Sequence, residues 1–92
     1  MWYVYILKCL DGALYTGLTD NLKRRFEEHS QGKGGHYTNH NRPLEILYHE
    51  PFKNRAQAEK REQRLKRWSH AKKLALIEGD LAKLRELSIS RD

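Results

Sequence analysis

The stretch WYVYILKCLDGALYTGL, residues 2–18, constrains the fold more than any other part of the chain. Two runs rich in aromatic and branched residues flank Leu10-Asp11-Gly12, a hairpin signal. A two-residue Asp11-Gly12 loop would pair Leu10 with Ala13 and put Tyr5 and Tyr15 on opposite faces. A three-residue loop, Leu10-Asp11-Gly12, pairs Cys9 with Ala13 instead. Tyr5 then lies opposite Gly17 and Tyr15 opposite Leu7, all on one face. Gly12 at the last loop position is what a type I turn with a G1 bulge requires, which favours the second register. With no side chain on Gly17, open space is expected beside the Tyr5 hydroxyl.

Thr19 or Asp20 is suited to cap a helix that runs to about Ser30. QGKGGHYTNHNRP follows as a polar, glycine-rich loop, then LEILYHE as a third strand. Asn54 is placed to cap a long helix through about Trp68. SHAKKLALIEGD and LAKLRELS read as closing helices, with Gly79 as the break between them. The order ββαβαα(α) predicts an α/β (α+β) fold, a small, mainly antiparallel three-stranded sheet flanked by helices. A chain of 92 residues is expected to form one domain, 1–92, with a modest core that includes Trp2, Phe26 and Trp68.

The net charge of +6 is concentrated. Residues 53–73 hold nine basic and two acidic side chains, while residues 1–52 balance to zero. Such a segment fits a polyanion, or equally a solvated helix surface. The single cysteine, Cys9, excludes an internal disulfide and suits a reducing compartment. No stretch approaches the length of a membrane span and no leader pattern opens the chain, so a cytoplasmic protein is expected, with no membrane association and no obligate protein partner.

Three groups point the wrong way for plain packing. On a helical wheel Leu22 and Phe26 mark the packing side of the first helix, yet Arg25 and His29 share it. In the long helix Glu62 lies between Ala58 and Leu65, where a carboxylate is costly unless a cation or strong donors meet it. An ion pair with Arg25 or a neighbouring lysine would satisfy it structurally. That explanation does not account for two phenols converging on the same place. A basic clamp, a carboxylate for a hard cation and a phenol near a water suit phosphodiester hydrolysis. GKGG lacks the strand and helix context of a phosphate-binding loop, and His36 and His40 have no further ligands nearby to make a zinc site.

These residues are also where the chain resembles the GIY-YIG nuclease family, especially its small single-domain bacterial members. Tyr3-Val4-Tyr5 stands where the first tripeptide belongs, and Tyr15-Thr16-Gly17 matches the second. Arg25 and His29 take the places of the helix arginine and histidine, and Glu62, in REQRLK, that of the metal-binding glutamate. HYTNHNRPLEILYHE resembles the loop and third strand. The likeness runs over about residues 2–78, leaving 79–92 as a helical extension. Tyr3, Val4 and Thr16 depart from the tripeptides' usual Gly, Ile and Ile.

The resemblance implies a divalent-metal-dependent endonuclease acting on DNA with low sequence specificity, on single-stranded or branched substrates in preference to a long specific duplex. Tyr5 would be the general base or would orient the attacking water. Tyr15 would bond the water or a phosphate oxygen, and Arg25 would stabilise charge at phosphorus. His29 would support the phosphate or the tyrosine, and Glu62 would hold one Mg²⁺ (or Mn²⁺). Lys33, Thr38, Arg42, Arg61, Lys66 and Arg67 would contact nucleic acid. The alternatives are a non-catalytic nucleic-acid-binding domain that keeps the fold, and an RNA-directed nuclease. Repair, recombination and uptake of foreign DNA are all open as pathways.

Overall fold

The hairpin forms in the three-residue register. Cys9 N–H donates to Ala13 O at 3.0 Å and Gly12 N–H to Cys9 O at 2.9 Å. Gly12 has φ 88°, the left-handed conformation that a side chain disfavours. The resulting strands are β1 (Trp2–Cys9) and β2 (Leu14–Thr19), with Tyr5 opposite Gly17 and Leu7 opposite Tyr15. The computed structural model describes residues 1–31 and 42–90. The expectations for Lys33, His36, Thr38 and His40 lie outside them.

A third strand, β3 (Pro43–Phe52), pairs antiparallel with the other edge of β1, giving the order β2-β1-β3. It is longer at both ends than LEILYHE because pairing continues from Trp2 opposite Phe52 to Cys9 opposite Pro43. Helix α1 (Leu22–Ser30) starts at Asn21, whose side chain accepts from Arg24 N–H at 3.0 Å. The cap is therefore neither Thr19 nor Asp20; the Thr19 hydroxyl instead accepts from Asn21 N–H at 3.1 Å. Asn54 caps α2 (Arg55–Lys66) through Gln57 N–H at 2.9 Å, and the helix stops before Trp68. Ser69 caps α3 (His70–Glu78), Gly79 closes it at φ 71°, and α4 (Leu81–Ser90) follows. No helix among the described residues is long and apolar enough to cross a membrane.

Strand alternation divides the sheet into two working faces. On one, Val4 packs with Ala58 and Leu65 of α2, and Trp2, Leu18, Phe52, Trp68 and Leu76 close around them. The other face presents Tyr5 and Tyr15, and α1 covers it through His29. Phe26 is only half-buried there: with Leu22, Leu44 and Ile46 it lines a shallow depression of about 460 Å³.

An ionic anchor sets how α2 lies on the sheet. Arg61 donates two hydrogen bonds to Glu50 of β3, at 2.8 and 2.9 Å, and its guanidinium stacks 5.3 Å from the Trp68 ring centre. Tyr48 donates to the same carboxylate at 2.6 Å. Burial pulls the Glu50 pKa upward, but the bonds from Arg61 and Tyr48 win and hold it below the usual carboxylate range. The placement reassigns Arg61, because the fork expected to grip phosphate is already bonded to a carboxylate. Two further members of the basic segment are buried as well. Lys72 is 2 % exposed with its ammonium 4.2 Å from the Trp68 ring centre, and Lys73 reaches Leu14 O at 3.4 Å.

Candidate active site

Tyr5 sits on the central strand and is 1 % exposed. Its ring lies directly over Gly17. A Cβ built on Gly17 would meet the Tyr5 hydroxyl and Cζ well inside van der Waals contact, and Cε2 at 2.9 Å. The space expected beside the hydroxyl is thus filled by the tyrosine itself, and its oxygen is carried to α1, where it bonds His29 Nε2 at 2.8 Å. His29 is 1 % exposed. The Tyr15 ring stands 5.1 Å from the imidazole and 6.3 Å from the Tyr5 ring, so the two phenols and the histidine form one aromatic cluster.

Arg25, one turn before His29, bonds both Tyr5 and Glu28, the latter at 3.2 Å. Burial works against its charge, but those two bonds hold its pKa above the ordinary value. Arginine only donates, so the Tyr5 oxygen accepts from Arg25, and the Tyr5 hydroxyl and His29 Nε2 share one further hydrogen. Burial pushes the Tyr5 pKa up to about 12; the Arg25 bond pulls the other way, while Tyr15 and Glu62 add to the rise. Tyr5 is therefore a neutral phenol at neutral pH, and the Glu62 carboxylate is near enough for its charge to be felt at the hydroxyl. Glu62 is itself largely covered, with a side chain 17 % exposed, and meets Lys66 at 3.5 Å. The structure thus brings Tyr5, Tyr15, Arg25 and His29 into direct contact, with Glu62 in electrostatic reach.

The imidazole is held neutral. Burial lowers the His29 pKa to about 4, and the Arg25 charge acts in the same direction against a smaller opposing effect of Glu28. An unfolded histidine titrates near pH 6.5, so between about pH 4 and 6.5 the unfolded chain binds more protons. The contribution of this group to stability is full above about pH 6.5 and is lost as pH falls toward 4. Denaturant titrations should show a loss on the order of 2 kcal/mol between pH 7 and 4.5. The loss should shrink markedly in His29→Gln; an unchanged pH dependence in that variant would refute the assignment.

The remaining expected contacts are scattered. Arg42 is exposed and its carbonyl accepts from Leu10 N–H at 2.8 Å. Lys66 stays beside Glu62, and Arg67 lies on the outer side of α2 with Lys60, Gln63 and Arg64. Two of the three tripeptide departures, Val4 and Thr16, lie on the face away from Tyr5, while Tyr3 shares the Tyr5 face. Val4 is in the core, Tyr3 packs edge-on against His49 at 5.9 Å, and Thr16 is buried on the α2 side with its hydroxyl unbonded. What sequence reasoning missed is the Glu50–Arg61 anchor. The signal was present: Arg61 is three residues after Ala58 and four before Leu65, on the same packing side that drew attention to Glu62.

A family model described as the GIY-YIG catalytic domain matches residues 1–75. A UPF0213 protein of Bacillus pumilus is 46 % identical over 76 residues, which are 83 % of this chain and 78 % of that protein. One from Oceanobacillus iheyensis is 47 % identical over 76 residues, covering 83 % and 88 % of the two chains. The solution NMR structure of a UPF0213 protein from Bacillus halodurans superposes with a TM-score of 0.54 at 38 % identity, over 85 % of this chain and 84 % of that one.

Proposed function

The chain belongs to the GIY-YIG catalytic domain family, and on that footing we propose that it is a divalent-metal-dependent endonuclease that hydrolyses DNA phosphodiester bonds with little sequence preference. Endonucleases are the activity of this family, and nucleic acid is the substrate class it implies. Residues 1–92 act as one nuclease unit in this reading, with α4 as a helical extension. The single observation that carries it is the Arg25–Tyr5–His29 chain of hydrogen bonds, with Tyr15 against it and the Glu62 carboxylate nearby.

The chemistry follows from what each group can give. Arg25 presents a guanidinium to the non-bridging oxygens, where charge grows as water attacks phosphorus. Tyr15 orients the phosphate or the water. Tyr5 takes the proton of the attacking water as its own hydrogen passes to His29 Nε2. That transfer is uphill in the free protein, since His29 titrates at about 4 and Tyr5 at about 12. A phosphate bound at Arg25 cancels the positive charge that helps depress the His29 pKa, so substrate binding itself favours the transfer. The bond from phosphorus to the 3′ oxygen then breaks and that oxygen takes a proton from solvent, leaving a 5′ phosphate and a 3′ hydroxyl, while His29 returns its proton to solvent.

Glu62 fits a hard cation of the Mg²⁺ type. Among the described residues no three His, Cys, Asp or Glu side chains cluster as a full protein cage. Mg²⁺ needs no such cage, because it keeps most of its waters and binds through one or two carboxylates plus phosphate oxygens. One Mg²⁺ (or Mn²⁺) held there would supply positive charge to the departing 3′ oxygen.

Matched single-stranded, duplex and flapped DNA oligonucleotides, each with Mg²⁺ and with chelator, test this reading. Mg²⁺-dependent cutting, faster on single strands or flaps than on plain duplex, is the expected result. Binding with no cutting in any metal would make the protein a non-catalytic nucleic-acid-binding domain, and faster cutting of matched RNA would make it an RNA-directed nuclease.

A further inference from the structure

Two cations compete for Glu62. The nuclease reading gives its carboxylate to a hard divalent ion, yet the Lys66 ammonium already meets it at 3.5 Å. The spacing is i, i+4 with the acid toward the N-terminus, the favourable order on a helix. Lys66 also stands in the last turn of α2, where the helix dipole favours a positive charge.

The two partners differ in freedom. The Glu62 side chain is 17 % exposed and its charge is felt at Tyr5, whereas the Lys66 side chain is 53 % exposed. The carboxylate is held by its surroundings, while the lysine can swing into water on a flexible four-carbon stem. An ion pair open to solvent on one side is weak, because water screens it and ordering the long side chain costs entropy. Lys66 therefore satisfies a largely covered carboxylate and can leave it without disturbing the packing.

A divalent ion at the same carboxylate reverses the balance, since two cations at contact distance repel. Lys66 has no good retreat toward α3. Burial holds the Lys73 pKa below its ordinary value and the Lys66 charge acts in the same direction, so the two ammonium groups already repel. Lys73 itself is fixed on Leu14 O, beside Tyr15. A displaced Lys66 then lacks an anion, and a phosphate of the bound strand supplies one.

We propose that Lys66 is the resident counter-ion of the Glu62 site and couples metal binding to substrate binding. It holds the carboxylate until a divalent ion occupies it, and then turns to a backbone phosphate of the substrate. The inference rests on the nuclease reading for the metal at Glu62 and adds how that site is regulated. The ion releases the lysine that the phosphate uses, and the phosphate draws away the lysine that blocks the ion. Each raises the affinity for the other by the same factor.

The test is equilibrium binding of Mn²⁺, which suits the same carboxylate and phosphate oxygens as Mg²⁺. Unbound Mn²⁺ is read by electron paramagnetic resonance at low ionic strength, where surface pairs are least screened. Wild type, Lys66→Gln, Glu62→Gln and a Lys60→Gln control are compared, each verified as folded by thermal melting. Each is measured alone and with an eight-nucleotide strand whose 3′ oxygens are replaced by methylene, so that nothing is cut. Alone, Lys66→Gln should bind Mn²⁺ about three- to fivefold more tightly than wild type, because the competing ammonium is gone. The strand should tighten Mn²⁺ binding about tenfold in wild type, and by a factor about threefold smaller in Lys66→Gln. Lys60→Gln, on the outer side of the same helix, should follow wild type in both measurements. Unchanged Mn²⁺ affinity in Lys66→Gln, an unchanged effect of the strand, or an equal shift in Lys60→Gln overturns the coupling and leaves the nuclease reading standing. Glu62→Gln that binds Mn²⁺ as wild type does overturns the metal assignment of that reading, and the coupling with it.

Discussion

A methyl group added at Gly17 is expected to abolish cleavage and to destabilise the fold by about 2 kcal/mol. The new Cβ enters the space that the end of the Tyr5 ring occupies, with Cε2 at 2.9 Å and the hydroxyl and Cζ nearer still. The far end of a flexible side chain ordinarily swings clear of such an intrusion at little cost. Tyr5 cannot, because it is 1 % exposed and its hydroxyl is tied to His29 at 2.8 Å. Movement of the ring breaks that bond, withdraws the acceptor from Arg25 and leaves polar groups unsatisfied under α1. Denaturant unfolding and a cleavage assay of Gly17→Ala check both halves. A double variant, Gly17→Ala/Tyr5→Leu, should recover part of the lost stability and none of the activity, since the smaller side chain removes the collision but not the need for a phenol. Gly17→Ala that cuts at the wild-type rate would show that the Tyr5 ring need not lie where it does.

Arg25→Ala and Glu62→Ala are each expected to lower the cleavage rate at saturating substrate by about 10²–10³-fold while leaving the fold intact. Arg25 loses its bonds to Tyr5 and Glu28, but it is half-buried and its site opens to water, so the structural penalty is small beside the catalytic one. Arg25→Lys should recover little, because an ammonium cannot reproduce a planar fork that bonds the Tyr5 oxygen and a phosphate together. Arg25→Ala also removes the positive charge that helps depress the His29 pKa, so the imidazole should titrate above about 4 in that variant. An NMR titration of His29 reads this without any substrate. For Glu62→Ala the discriminating measurement is the Mg²⁺ concentration required for half-maximal cutting. Unchanged cutting and unchanged metal dependence in that variant would remove Glu62 from the site.

Much of the scaffold was legible because local rules set it. Gly12 selected the hairpin register, and with the register came the shared face of Tyr5 and Tyr15. Asn54 and Gly79 marked helix ends through backbone needs that each residue meets alone. The side-by-side placement of Arg25 and His29 on α1 followed from helical period. Other features depended on contacts between distant segments. Wheel geometry puts both Glu62 and its neighbour Arg61 on a packing side, but a helix period cannot name Glu50 of β3 as the partner that Arg61 meets there. Charge counting treated the segment 53–73 as one surface, whereas folding buries Lys72 and Lys73 and turns Lys60, Arg64 and Arg67 outward.

The chain's own order of residues thus determined which side chains share a strand face or a helix face, since those periods are properties of the backbone. Only the tertiary structure decided which charges were spent inside the protein and which lie at its surface. It also decided that the Tyr5 ring, not solvent, would fill the space above Gly17. Burial, and with it the pKa of a phenol or an imidazole, is a property of everything packed around a group, and no local pattern carries it.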